Sequence, residues 1–206
     1  MKKADVSRAT IGRIPIYLKY LKNACSDKKN ISATSLAKEL GMGEVQVRKD
    51  LASVSGAGRP KTGYNISELT ETLESFLKPD FGGNVIIVGA GKLGRALLGY
   101  SGFGDYGLNI TAAFDKAVEK KEQTSSQKSI YPMADFDAFV KENKIKIGII
   151  TVPADAAQQV CDLLVENGIK AIWCFAPCTL SVPKDVCVQY ENMALSLAYL
   201  NKKIQN

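Results

Sequence analysis

The stretch VIIVGAGKLGRALLGY, residues Val85–Tyr100, decides the fold of one part of this 206-residue chain. An apolar run is followed at once by glycines in the spacing GxGxxG, and then by an apolar helical segment. This order predicts a buried parallel strand, a tight turn, and a helix whose N-terminal N–H groups face a pyrophosphate. The predicted dinucleotide site comprises Gly89, Ala90, Gly91, Lys92, Leu93 and Gly94.

An acidic residue follows the glycine motif at the expected interval. The segment NITAAFD predicts a second strand that ends in Asp115. A carboxylate in that place hydrogen-bonds ribose hydroxyls and repels a 2′-phosphate, so the pattern favours NAD over NADP. The neighbouring Lys116 weakens that preference slightly.

The remainder of the chain alternates strand and helix patterns. We predict six strands with intervening helices, which is a Rossmann domain with a doubly wound, mainly parallel sheet. Its helix DAAQQVCDLLVENGI, over residues 155–169, is expected to point Val160, Leu163 and Leu164 inward. Turns after strands should lie near the ligand, which adds Thr151, Val152 and Pro153 to the predicted cofactor site. Tyr100, just past the helix of the glycine motif, is added because it is placed to sense whether the nicotinamide is oxidised or reduced.

The 84 residues before this motif have a different pattern. Ile11, Ile14, Tyr17, Leu18 and Leu21 are predicted to share one face of a first helix. Two shorter helices follow, with Ser32 as an N-cap and a glycine turn at residues 41–43 between them. Two short helices around a glycine turn indicate a helix-turn-helix.

A basic glycine-rich segment, SGAGRPKTGYNIS, follows the third helix and predicts a hairpin, or wing. The first 78 residues carry 14 Lys and Arg against 8 Asp and Glu, whereas the remainder is balanced. Winged helix and basic charge together predict DNA binding, although a solvated basic surface has the same composition. The predicted DNA contacts are Gln46, Arg48, Lys49, Arg59, Lys61 and Tyr64; Asp50 is expected to hold an arginine instead.

Several features argue against catalysis. The chain contains no histidine, and the residues after Asp115 are used up in finishing the sheet. We therefore predict no catalytic residues and no metal site, and we expect the five cysteines to be buried, reduced thiols. A domain that binds a nicotinamide cofactor without converting it, joined to a DNA-binding domain, indicates a sensor. A small NAD-dependent oxidoreductase with an incidental basic domain remains an alternative, as does a nucleotide-sensing adaptor that binds protein or RNA.

The end of the chain predicts one more helix. Met193, Leu197, Leu200 and Ile204 form an apolar stripe on it, at spacings of four, three and four. The stripe packs either on the protein's own sheet or on a second copy. A dimer is favoured because winged-helix proteins usually read two half-sites. We predict residues 1–80 as a winged-helix domain, 81–190 as a Rossmann domain and 191–206 as a dimer helix. No signal peptide or membrane span is expected, which predicts a cytoplasmic protein.

The order QVRKDL, a glycine wing ending in GY, VGAGKLGRAL, FD, TVPA and FAP closely resembles the redox-sensing transcriptional repressor family Rex. The resemblance covers nearly the whole chain. It implies a cytoplasmic homodimer that binds inverted-repeat operator DNA, with NAD(H) as cofactor, and that NADH releases from the DNA. It also implies that the C-terminal helix is swapped onto the partner.

Three positions depart from the family pattern. The resemblance implies an Asp in the C-terminal helix that pairs with an Arg of the first helix, but the matching positions here are Ala194 and Lys19. The FAP motif is usually preceded by Asn, and here by Cys174. The family's switch pair is therefore expected to be absent.

Overall fold

The structure, a computed structural model, is described here for residues 6–24, 28–80 and 82–204. It divides into two compact units, each described by itself. The first unit ends at Pro79 and also takes in Asp105–Gly107; the second begins at Asp80 and holds the rest. Cys25 lies outside the described residues.

The first unit is mainly helical, with one small two-stranded sheet. Its elements are α1 (Arg8–Ala24), β1 (Asn30–Ile31), α2 (Ala33–Leu40), α3 (Glu44–Ser55), β2 (Tyr64–Asn65) and α4 (Ile66–Leu77). Its core includes Ile14 and Tyr17 of α1, both fully buried. Ile11 was predicted to lie on the buried face of α1. It is instead 37% exposed, because it sits near the start of the helix.

The turn between α2 and α3 forms as the sequence predicts. The Ser32 hydroxyl accepts a hydrogen bond from the Ser35 N–H and so caps α2. Gly41 ends α2 in a left-handed conformation with φ +63°, and its N–H bonds the carbonyls of Ala37 and Lys38. Val47 of α3 is fully buried and fills the space beside α2, which fixes the helix-turn-helix.

The predicted wing is shorter than a full hairpin. Arg59 and Gly63 exchange both backbone hydrogen bonds, at 2.8 and 2.9 Å, around a tight turn. The chain then enters β2, which pairs antiparallel with β1. β1 has only two residues and forms through this distant partner, so the sequence around it carries no local signal for a strand.

The second unit is a sheet with helices on both faces. Its strands are β3 (Asn84–Val88), β4 (Asn109–Asp115), β5 (Glu122–Gln123), β6 (Ser129–Pro132), β7 (Ile147–Ile150), β8 (Ala171–Cys174) and β9 (Cys187–Tyr190). Its helices are α5 (Lys92–Leu98), α6 (Phe136–Glu142), α7 (Ala154–Glu166) and α8 (Met193–Lys203), with 3-10 turns at Ser101–Tyr106 and Met133–Asp135.

The strand order β5-β6-β4-β3-β7-β8-β9 is that of a Rossmann sheet. The six strands from β6 to β9 are parallel, and β3 lies at the centre with β4 and β7 on its two sides. The sequence analysis missed β5, a two-residue antiparallel strand that pairs with β6 at the sheet edge. The carboxyl ends of β3 and β7 therefore lie side by side, where such sheets bind ligands.

The central strand is buried on both faces, as its apolar run predicts. Val85 and Ile87 belong to one apolar core, and Ile86 and Val88 belong to the other. On α7 the inward set differs from the predicted one. Ala157, Cys161 and Leu164 are buried, whereas Val160 and Leu163 are half-buried.

The last helix is not covered by the protein's own sheet. Every residue of α8 is exposed, and the predicted apolar stripe on it is between 56% and 83% exposed. Of the two alternatives for this stripe, packing on the protein's own sheet is therefore excluded.

Candidate nucleic-acid face and cofactor cavity

The predicted recognition helix presents its polar residues to solvent. Gln46, Arg48 and Lys49 of α3 are all exposed. Arg48 forms an ion pair with Glu44, one turn earlier on the same helix. Lys49 forms no ion pair with any residue that the structure describes, and it lies exposed on the helix surface. The two basic side chains are therefore not equivalent, because Arg48 must share its charge with a carboxylate.

A buried carboxylate fastens α3 to α1. Asp50, 4% exposed, accepts hydrogen bonds from Thr10 Oγ1 at 3.0 Å, Arg13 Nε at 2.6 Å, Arg13 Nη2 at 2.9 Å and Tyr17 OH at 2.7 Å. Burial alone would raise the pKa of Asp50, but these hydrogen bonds together hold that pKa below its usual value. The expectation that Asp50 holds an arginine is confirmed.

The wing residues divide into an exposed pair and an anchor. Arg59 and Lys61 are exposed, and Lys61 has the left-handed φ of 65° at the turn. Tyr64 is half-buried instead, and its OH donates to the Gly56 carbonyl at 3.2 Å. Its ring lies so close to Gly58 that a Cβ there would be 2.9 Å from Tyr64 Cε2. Tyr64 therefore closes the base of the wing.

One exposed residue on α3 was not among the DNA contacts predicted from the sequence. Val45 is 64% exposed and lies one turn before Lys49, on the same side of the helix. An apolar side chain in that position suits contact with the methyl group of thymine. The sequence signal for Val45 is that it is apolar but does not share a helical face with Val47 and Leu51, which are buried.

Each of the three glycines of the motif has a different structural role. Gly89 has φ +103°, and a Cβ on it would be 2.9 Å from the Thr151 backbone. A Cβ on Gly94 would lie 1.9 Å from the Gly89 carbonyl oxygen, so α5 packs directly on the turn. A Cβ on Gly91 would meet nothing within 4 Å. The Gly91 backbone therefore faces open space, at the N-terminus of α5.

Asp115 is tied to the glycine turn at the end of β4. Its Oδ2 accepts from the Ala90 N–H at 2.6 Å, and its Oδ1 accepts from the Ala117 N–H at 2.9 Å. A carboxylate has about four acceptor sites, so each oxygen keeps capacity for a hydroxyl donor. Thr151 completes the turn, because its Oγ1 donates to the Gly89 carbonyl at 2.6 Å.

These residues border a cavity of about 730 Å³, a size typical of small-molecule sites. The predicted residues on its wall are Gly89, Gly91, Asp115, Thr151, Val152 and Pro153. The wall also includes residues that the sequence analysis did not assign, notably Val88, Met133, Asp155, Gln159, Val160 and Leu163. Met133 follows strand β6, so the rule about carboxyl ends of strands was the available signal.

Other predicted cofactor residues lie outside this wall. Ala90 and Gly94 support the turn from behind, and Lys92 and Leu93 form the first turn of α5. Tyr100 is 62% exposed and contacts the Phe103 ring edge-on at 5.2 Å between centroids. The structure therefore does not bring Tyr100 to the cavity within one protomer.

The cysteines are only partly as expected. Cys161 and Cys174 are buried, and burial raises the pKa of Cys161 to about 11. Cys178 is half-buried and Cys187 is exposed, which corrects the prediction for these two; Cys187 opens the edge strand β9. In the described part of the chain no three acidic or cysteine side chains cluster as a metal site. Among the same residues no helix has the length and apolarity needed to cross a membrane.

Two family models match the chain, one for each unit. Residues 5–52 match "Putative DNA-binding protein N-terminus", and residues 82–178 match "CoA binding domain". A winged helix-turn-helix followed by a Rossmann domain defines the class: a DNA-binding protein with a nucleotide-binding domain.

The relatives are more specific. The redox-sensing transcriptional repressor Rex of Treponema denticola is 40% identical over 202 residues, covering 97% of this chain and 96% of that protein. Rex of Clostridium botulinum is 38% identical over 200 residues, covering 97% and 95%. This chain belongs to the Rex family of redox-sensing transcriptional repressors, which confirms the resemblance seen in the sequence.

Solved structures agree with this assignment. RSP in complex with β-NAD+ and operator DNA has a TM-score of 0.79 at 36% identity, covering 97% of this chain and 92% of that one. RSP in complex with β-NADH has a TM-score of 0.72, also at 36% identity, covering 98% and 95%. A further structure of the same protein is described as a Rex-family repressor.

Proposed function

We propose that this chain is a transcriptional repressor that binds inverted-repeat operator DNA as a homodimer and leaves it when NADH binds. One observation carries the proposal: an exposed basic recognition helix and a glycine-lined cavity occur in one chain, and RSP was solved both with NAD+ on operator DNA and with NADH. Relatives of this length are named repressors, so neither the oxidoreductase nor the adaptor alternative is favoured.

The DNA-binding residues have distinct roles in this proposal. Lys49 and Gln46 of α3 reach base edges in the major groove, and Arg48 exchanges Glu44 for a phosphate or a base. Arg59 and Lys61 of the wing contact the sugar-phosphate backbone or the minor groove. Tyr64 holds the wing in shape through its bond to Gly56, in addition to any contact of its own.

The residues around the cavity fit NAD(H). Gly91 leaves open the space that a pyrophosphate needs, and the N-terminal N–H groups of α5, from Lys92 to Gly94, carry no side-chain cap. Asp115 binds the adenosine ribose while it fixes the glycine turn. Thr151, Val152 and Pro153 contact the nicotinamide half. The bound nicotinamide supplies the signal, because its oxidised ring is planar and cationic whereas its reduced ring is neutral.

The coupling between the two sites differs from the family's pattern. Lys19 and Ala194 are both exposed, and neither substitutes for an Arg–Asp pair. Other contacts must therefore stabilise the DNA-competent dimer, and we propose a smaller effect of NADH on DNA affinity than in relatives with the pair. Tyr100, exposed in the protomer, is proposed to reach the cofactor only in the dimer.

We also propose the domain boundaries and the cellular location. Residues 1–80 form the DNA-binding domain, 81–190 the NAD(H) domain, and 191–206 a helix that is swapped onto the partner. A repressor that reads the NADH/NAD+ balance acts on DNA in the cytoplasm.

Fluorescence anisotropy with labelled inverted-repeat DNA tests the function. We expect saturating NADH to lower DNA affinity and NAD+ to leave it nearly unchanged, since a ligand shifts an equilibrium only by its differential affinity. Lys49→Ala should weaken specific binding roughly 5- to 100-fold, the range of one base contact, without changing NADH affinity. CoA added instead of NADH is the negative control. Equal DNA affinity with and without NADH would end the sensor proposal.

A further inference from the structure

A guanidinium held in the core of the first unit contacts the recognition helix. Arg13 of α1 donates through Nε and Nη2 to the buried Asp50 carboxylate, at 2.6 and 2.9 Å. Tyr17 and Thr10 bond the same carboxylate, so the plane of the guanidinium is fixed from several sides. The Arg13 side chain is 20% exposed, and the part that is not used by Asp50 faces the start of α3.

That remaining part of Arg13 meets the side-chain amide of Gln46. Gln46 Oε1 lies 3.0 Å from both Nη1 and Nη2 of Arg13. The orientation of this amide is assigned from its neighbours, because a guanidinium has only donors and cannot accept from an amide NH₂. The carbonyl of Gln46 is therefore turned toward the protein, and its NH₂ group is turned toward solvent.

This orientation changes what Gln46 offers to a base pair. A free glutamine presents one acceptor and one donor, which match N6 and N7 of adenine as a bidentate pair. With its oxygen engaged by Arg13, Gln46 presents donors alone. Donors alone match a pair of acceptors best, and guanine offers two, N7 and O6, whereas adenine offers only N7 beside its N6 donor and thymine only O4.

We propose that Arg13 is a specificity-determining residue that acts through Gln46. By holding the Gln46 carbonyl, it makes this side chain select guanine over adenine at one position of each operator half-site. The inference rests on the proposed function, because it requires α3 to lie in the major groove. It assigns Arg13, a residue of the first helix, a role in base selection without contact to DNA.

The test measures the affinity of the full-length protein for a set of operators that carry every single base-pair change in both half-sites. Gln46→Ala first identifies the position that Gln46 reads, as the one whose preference disappears. At that position the unmodified protein should favour guanine over adenine, by roughly 5- to 150-fold. Arg13→Lys keeps a positive charge beside Asp50 but lacks the planar fork, so the preference over adenine should fall there and persist elsewhere.

A second variant keeps the test decisive if Arg13→Lys does not fold. Gln46→Glu retains an acceptor for Arg13 but has no donors, so it should lose the preference for guanine at the same position. A preference for adenine in the unmodified protein would overturn the inference, as would Gln46→Glu or a folded Arg13→Lys that leaves the preference unchanged. Failure of the proposed function is a different result: no specific operator binding, or binding that Lys49→Ala does not weaken.

Discussion

At the scale of single residues, the buried cluster around Asp50 connects stability to function. Its carboxylate receives four hydrogen bonds, from Thr10, Tyr17 and two nitrogens of Arg13. Buried pairs of this kind add little net stability, but removing one partner leaves the other charge uncompensated. The cluster therefore fixes how α3 lies on α1, and through Gln46 it reaches the surface that α3 presents to DNA.

We predict that Asp50→Asn destabilises the first unit by about 3 kcal/mol, because Arg13 would remain largely buried without a counter-ion. The pKa of Asp50 is lower in the folded protein than in the unfolded chain, where it is about 3.9. Its stabilising effect is therefore complete above the unfolded pKa and disappears as the pH falls through the folded pKa.

Urea unfolding followed between pH 2 and pH 7 measures this effect. The loss of stability below about pH 4 should be smaller in Asp50→Asn than in the unmodified protein. Asp185→Asn is the matched control: its carboxyl is exposed and bonded to Lys170 on the surface of the other unit. Unchanged stability in Asp50→Asn at neutral pH would contradict the role given to the cluster.

At the scale of elements, the glycine motif shows why one part of the fold was predictable. Val85–Val88, the turn and α5 lie where the sequence predicts them, because neighbouring backbone leaves no room for a side chain at Gly89 and Gly94. β1 and β5 were not predictable in this way. Each has only two residues. β1 forms through the distant β2, and β5 pairs with the nearby β6, but both of its residues are exposed and it has no apolar alternation that would mark a strand.

The candidate cofactor site was predictable to a similar extent. Gly91 and Asp115 follow from the motif, whereas Val160 and Leu163, predicted to point inward, are half-buried: they pack against the core and also border the cavity. A helical period identifies an apolar stripe, but it does not show whether the edge of that stripe meets a sheet or the wall of a cavity. The fully buried side chains of α7 are Ala157, Cys161 and Leu164, and of these only Leu164 was predicted on the inward stripe of the helix.

Substitutions at two glycines of the motif should have different effects on stability. Gly91→Val places its side chain in open space, so the protein should fold with unchanged melting temperature but bind NADH at least 100-fold more weakly. Gly94→Ala places a methyl group 1.9 Å from the Gly89 carbonyl oxygen, so it should destabilise the second unit by several kcal/mol. Thermal unfolding and calorimetry with NADH separate the two effects. Normal NADH binding by Gly91→Val would show that the pyrophosphate does not bind beside residue 91.

At the scale of the whole molecule, the C-terminal helix is apolar and uncovered. Met193, Leu197, Leu200 and Ile204 lie within one narrow stripe of α8, since each residue turns the helix by about 100°. Contiguous exposed apolar surface of this kind marks an interaction site in soluble proteins. A second copy of the chain is the partner that operator symmetry requires, because two recognition helices must reach half-sites about one helical turn apart.

We therefore predict that Leu197→Asp combined with Leu200→Asp converts the dimer into a monomer. Two carboxylates inside an apolar interface would be buried without partners. The free-energy cost of burying these charges outweighs the apolar contacts that remain. Sedimentation equilibrium should show the monomer mass, and affinity for an inverted repeat should fall at least tenfold, while affinity for a single half-site stays within about twofold. Lys202→Glu, on the opposite side of α8, is the matched control and should remain dimeric. A double variant that stays dimeric would place the dimer contact elsewhere on the molecule, and the loss of half-site affinity would mean that the substitutions had damaged the fold.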